Sequence, residues 1–173
     1  MTHLTDNAIT SCSGRQYARR EDFCEIFIEE VDALYQLSFL LTGDRKLAEQ
    51  CFVSGLQSCH NNLVFAEWAR AWAKRIIIQN AVCALEPCLA VTSNPARQIT
   101  ARTTTSPACF DVELVLELPL FARFVFVLSV LEQYSDQDCA LLLQCTREEV
   151  RNARVSALDQ LASSCVAPSE AAV

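Results

Sequence analysis

The stretch from Ser135 to Leu161, SDQDCALLLQCTREEVRNARVSALDQL, decides how the chain is read. Ser135-Asp-Gln-Asp138 and Thr146-Arg-Glu-Glu149 each place a hydroxyl at a helix N-cap and a carboxylate three residues on, the pattern of a capping box. Two helix starts about eleven residues apart leave room only for a short helix, a tight turn and a second helix. With Ala140, Leu141, Leu143, Val150, Ala157 and Leu161 as its apolar positions, the segment is predicted to be a helix-turn-helix. On a wheel of about 100° per residue, Arg147, Arg151 and Arg154 of the second helix form one stripe. Val150, Ala153, Ala157 and Leu161 form the buried side, and Glu148, Glu149, Asn152, Val155, Ser156 and Asp159 face away from it.

Upstream of that stretch, Pro119 suits a first helical turn and Phe121, Val125 and Leu128 share one side of an apolar helix. Farther back, three more helices are predicted. Phe27, Val31, Leu34, Ser38 and Leu41 mark the first, which Thr42-Gly43-Asp44 stops with a glycine before an aspartate caps the next. Leu47, Ala48, Cys51, Phe52, Leu56 and Cys59 mark the second. Phe65, Trp68, Ala69, Trp72, Ile76, Asn80 and Cys83 mark the third, expected to end before Pro87. Three glycines in 173 residues are too few for a hairpin-rich β protein, and 51% hydrophobic residues exclude disorder. The fold is expected to be all-α.

Composition divides the chain. Residues 1–20, with charge +2, read as a flexible leader, and residues 21–86, with charge −5, as a three-helix domain. Residues 87–110 carry three prolines and four consecutive Thr/Ser after Arg102, and read as a flexible linker. Residues 111–165, again −5, form the second helical domain, and 166–173 a tail. The expected architecture is therefore two small helical domains on a tether.

The net charge of −7 repels polyanions at long range, so any DNA contact has to be local. Arg123 and Glu132 bracket the most apolar stretch, which is too short to span a bilayer, so no membrane insertion is expected. The first residues lack the apolar core of a signal peptide. A cytoplasmic protein with reduced thiols is expected. The cysteines include no C-x-x-C pair, and only His3 and His60 are available to complete a tetrahedral set, so no metal site or other cofactor is expected. Cys51, Cys59, Cys83 and Cys139 read as small hydrophobes, and Cys145, at a helix start, as the best candidate for a reactive thiol. No phosphate loop, H-E-x-x-H or nucleophile elbow is present, and no catalytic residue is assigned.

The spacing of Leu118-Pro119, Arg123, Val125-Phe126, Leu128, Glu132, Ser135, Ala140, Leu142-Leu143, Cys145-Thr146, Val150-Arg151, Arg154, Ala157 and Leu161 resembles the C-terminal domain of extracytoplasmic-function RNA polymerase sigma factors, without a gap. Leu34-Tyr35, Leu40-Leu41-Thr42-Gly43-Asp44, Ala48-Glu49, Trp72, Arg75-Ile76 and Asn80 resemble the N-terminal domain, in the same chain order. The resemblance implies a bacterial transcription initiation factor that binds core RNA polymerase and double-stranded promoter DNA, with an anti-sigma protein as a further partner. It implies polymerase contacts at Glu49, Gln50, Val53 and Ser54. It implies contacts to the downstream promoter element from Arg70, Lys74, Arg75, Gln79 and Asn80, and to the upstream element from Arg147, Arg151, Asn152 and Arg154.

A second class stays open. The residues after Glu49 run Gln50-Cys51-Phe52-Val53-Ser54-Gly55 where the family is acidic, and the outer face of the last helix carries three carboxylates. Both features suit a sigma-like regulator that works through protein contacts without promoter recognition of its own. Trp68 and Trp72 read as core anchors, with base stacking as the alternative, and Arg151 and Arg154 as partners of Glu148 or as DNA contacts.

Overall fold

A computed structural model describes residues 16–59, 63–92 and 112–166. Most of the expected leader, linker and tail lies outside the described residues. The fold is all-α: α1 (Arg20–Glu29), α2 (Val31–Thr42), α3 (Arg45–Cys59), α4 (Ala69–Thr92), α5 (Val112–Glu117), α6 (Leu120–Phe126), α7 (Asp136–Leu143) and α8 (Arg147–Val166). A 3-10 turn at Ala66–Trp68 precedes α4, and a π-helical segment at Val127–Leu131 extends α6.

The helix expected from the Phe27 to Leu41 stripe is two helices. Glu30 leaves helical geometry (φ −108°, ψ 21°), its N–H closing α1 on the Ile26 carbonyl and its own carbonyl opening α2. The break changes the phase of burial. Phe23, Ile26 and Phe27 are buried on α1 and Leu34, Leu37 and Leu41 on α2, while Val31, placed in the stripe by its spacing, is exposed.

The stop and cap at 42–44 form as the sequence indicates. Gly43 adopts the left-handed conformation (φ 71°), and the Asp44 carboxylate accepts from the Leu47 N–H at 2.9 Å. Ser38 then donates to the Ala48 carbonyl at 2.7 Å, tying α2 to α3. On α3, Ala48, Cys51, Gly55 and Cys59 are buried at spacings of three and four. A Cβ at Gly55 would lie 3.0 Å from Ile77, so α3 and α4 approach closely there.

α4 differs from expectation twice. It runs through Pro87 to Thr92, five residues beyond that proline, which has no N–H to give the ladder. Its core face is rotated as well: Ala69, Ala73, Ile77 and Ala81 are buried, whereas Trp72 is half-buried and Trp68 is 56% exposed. Small residues face the crowded side, so the tryptophans move to the flanks. The core-anchor reading of Trp68 is corrected accordingly. Residues 16–19, assigned to the leader, are also anchored. Tyr17 bridges Phe65 through the Ala18 N–H to Val64 and Ala66 N–H to Gln16 bonds, and its ring stacks on Phe65 at 4.8 Å.

In the second half, Ala122 to Leu128 are buried without interruption. Ser129 donates to the Val125 carbonyl, the back-bonding that loosens a helical ladder, in the segment that widens to π geometry. α7 and α8 are joined by Gln144–Thr146, with Gln144 left-handed. Leu142, not Leu141, is buried on α7; a run of three leucines carries no period by which to tell them apart.

The two segments expected on either side of a tether are in contact. α2 and α4 pack against α5, α6 and α7, and one hydrophobic cluster runs from Phe23 through Ile78 to Phe124 and Ala157. Ile76, Ile77 and Ile78 are buried in succession because α4 has neighbours from both halves.

Candidate nucleic-acid interface

Arg70, Lys74 and Arg75 project from α4 at spacings of four and one. Arg70 is exposed and forms ion pairs with both Glu29 and Glu30 at the α1–α2 break, which hold its pKa above the ordinary arginine value. Lys74 is half-buried, its Nζ 2.9 Å from Oε2 of Glu132 in the other half. That hydrogen bond outweighs the desolvation and raises the Lys74 pKa. Arg75 and Gln79 are half-buried. Asn80 donates its side-chain amide to the Cys51 carbonyl at 3.4 Å, a tie between α4 and α3.

α8 begins on a reciprocal cap. The Thr146 hydroxyl accepts from the Glu149 N–H at 3.2 Å, and the Glu149 carboxylate accepts from the Thr146 N–H at 2.8 Å. The Thr146 N–H, and then the Thr146 hydroxyl, which donates to the same carboxylate at 2.7 Å, hold the Glu149 carboxyl below its usual range. The cap orients the wheel as the sequence indicates: Val150 and Ala157 are buried, and Glu148, Glu149, Asn152, Val155, Ser156 and Asp159 are exposed.

Two of the three arginines of the stripe share one carboxylate. Asp136, in the first turn of α7, accepts from Arg151 Nε at 3.0 Å and from Arg154 Nη1 at 2.6 Å. Arg154 first, then Arg151, depress the Asp136 carboxyl. The partner is thus Asp136 and not Glu148, and 15 to 18 residues separate it from the arginines, a distance only the turn between α7 and α8 closes. Arg147 and Asn152 are exposed on the same helix. Of the six candidate cations, Arg70, Lys74, Arg151 and Arg154 are each held by a carboxylate of the chain.

Glu49, Gln50, Val53 and Ser54 are all exposed, on the side of α3 opposite Ala48, Cys51 and Cys59. The Phe52 ring between them is half-buried, edge-on to Phe27 at 5.2 Å.

Sequence reasoning did not assign a role to Arg123. The residue is 8% exposed, and its guanidinium reaches the carbonyls of Leu41 (3.3 Å), Thr42 (3.4 Å) and Leu116 (3.1 Å), while Nε has no partner. Leu41 and Thr42 end α2, where carbonyls lack helical partners and the helix dipole is negative. A cation from the second half therefore caps a helix of the first.

The thiols do not support a reactive site at Cys145. Burial, then Glu149, raises its pKa, the opposite of what thiolate chemistry needs. Cys51, Cys59 and Cys139 are buried as expected, but Cys83 is exposed. Among the described residues no group of three or more His, Cys, Asp or Glu is placed to hold a metal ion, and no helix is long and apolar enough to cross a membrane.

Compared with family models, curated proteins and solved structures, the chain finds no match.

Proposed function

We propose that the chain is a divergent sigma-like transcription initiation factor of the extracytoplasmic-function type, acting in the cytoplasm by binding core RNA polymerase and double-stranded promoter DNA. The observation that carries this reading is the capped start of α8. Directly after a three-residue turn, it turns Arg147, Arg151 and Asn152 to solvent on the helix that the resemblance assigns to the upstream promoter element. On this reading α7, the turn and α8 are the helix-turn-helix, with α8 entering the major groove. α4 supplies Arg70, Lys74 and Arg75 to the downstream element, and the exposed face Glu49, Gln50, Val53 and Ser54 of α3 meets the polymerase. An anti-sigma protein is the natural antagonist of such a factor. The chain itself catalyses nothing on this reading.

One observation favours the second class. Asp136 holds Arg151 and Arg154, so DNA has to compete with a resident carboxylate. A sigma-like regulator acting through protein contacts would need no such competition.

Mixing the purified protein with bacterial core RNA polymerase and sheared genomic DNA separates the two. Co-elution with polymerase and recovery of a selected set of fragments supports the promoter-binding factor. Co-elution without selection supports the protein-contact regulator, and the absence of co-elution rules out both.

A further inference from the structure

We propose that residues 16–18, with the aromatic rings beside them, form a docking edge for an extended acidic segment of a partner protein, which adds as a strand alongside Tyr17. This surface is independent of promoter binding by α8.

The bridge between Tyr17 and Phe65 is made by their neighbours. The Ala18 N–H donates to the Val64 carbonyl at 2.7 Å, and the Ala66 N–H to the Gln16 carbonyl at 2.8 Å. In an antiparallel ladder, a residue flanked by bonds of this kind turns its own N–H and C=O to the opposite edge. The Tyr17 N–H and carbonyl therefore face away from residues 64–66, and no described residue bonds either of them. A donor and an acceptor left open on one strand residue are what an incoming strand completes.

The side chains around the bridge supply an apolar platform. The Tyr17 ring stacks on Phe65 with centroids 4.8 Å apart, and Trp68 meets Phe65 edge-on at 5.8 Å. Tyr17 is 51% exposed, Leu63, two residues before Phe65, is 88% exposed, and Trp68 is exposed as well. Large apolar side chains held together in water mark a contact surface, and rings held against one another cost little to order on binding. Arg19 and Arg20 follow directly. Both are exposed and neither pairs with a carboxylate of the described residues, although the chain as a whole carries −7. That local positive charge selects an acidic partner segment. The open carbonyl favours a polypeptide over single-stranded DNA. An unpaired base could stack on Trp68, but a DNA sugar–phosphate backbone carries no donor for the Tyr17 C=O.

The probe is a labelled heptapeptide alternating glutamate and valine, added to the full chain and followed by fluorescence anisotropy. Saturable binding is expected, with slowed hydrogen exchange at the Tyr17 amide in the complex. Methylating the peptide's backbone nitrogens should weaken binding by about tenfold or more, because its strand donors are lost. Trp68→Ala should weaken it about two- to tenfold, and Arg19→Gln/Arg20→Gln about two- to fivefold at low salt.

A heptapeptide that does not bind, or one that binds while Tyr17 exchange stays unchanged, overturns the proposal. Equal affinity of the N-methylated peptide overturns it too. Binding of single-stranded oligothymidylate that depends on Trp68, where the peptide fails, assigns the rings to base stacking instead. The exchange measurement uses the unaltered chain, so it stands even where a variant folds poorly. Each of these outcomes leaves polymerase co-elution and fragment selection untouched, so the two readings fail separately.

Discussion

The guanidinium of Arg123 lies so close over Gly43 that a Cβ at position 43 would sit 3.0 Å from Nη1. The glycine is required twice there, once for its φ of 71° and once for the space the arginine fills. Through this contact a residue of the second half closes the C-terminus of α2. Gly43→Ala is expected to cost at least about 1 kcal/mol from the backbone alone. Arg123→Ala should cost about 2 to 3 kcal/mol by stranding buried carbonyls. Denaturant titration of both single variants and the double should show a coupling, because the steric part of the Gly43→Ala cost disappears once the arginine is shortened.

Asp136 sets an acid limit on the α7–α8 pairing. Its carboxyl is depressed by Arg154 and Arg151, so the stabilisation is complete above the ordinary aspartate range and is lost as pH falls through the lowered value. Thermal melts of the wild type and Asp136→Asn should therefore differ at neutral pH and converge in acid. A difference that persists unchanged at the lowest pH would rule out the ion pairs as its source.

The sequence made the periphery of this arrangement readable and hid its connections. Thr146 and Glu149 are three residues apart, and Gly43 and Asp44 adjoin, so local spacing suffices to place both caps and the phase of α8. Glu30 breaks a helix whose apolar stripe reads as continuous, because the phase change is set by what α1 and α2 each pack against. The carboxylate that meets Lys74 and the α2 carbonyls that meet Arg123 lie 58 and 81 to 82 residues away, and no local pattern reports which of them will do so. Spacing likewise put Trp68 on the buried side, whereas close approach of α4 to its neighbours gives that side to alanines. The surface read as a set of free cations is thus largely a set of internal ion pairs.

Removing the α8 cap should act locally. Thr146→Ala is expected to cost about 1 kcal/mol, and hydrogen exchange should quicken in the first turn of α8 while α3 stays protected. Equal loss across both helices would contradict a local role.

Burial pushes the Cys59 and Cys139 thiols up to about 11, the latter helped by Asp136 and Asp138. The folded chain keeps these protons while unfolded thiols ionise from about pH 9, so stability is full below that pH and falls as it rises toward 11. Melting temperatures recorded across that interval should decline less steeply in Cys139→Ala. At pH 8, iodoacetamide should modify Cys83 well before Cys51, Cys59 or Cys139.

The most direct test of a promoter-binding factor is a gel shift at low ionic strength with core RNA polymerase present, using the wild type and the Arg151→Ala/Arg154→Ala variant. Retardation of selected fragments by the wild type, weakened in the variant, is the expected result. No retarded band on any fragment, or retention indifferent to the loss of both arginines, would contradict the account.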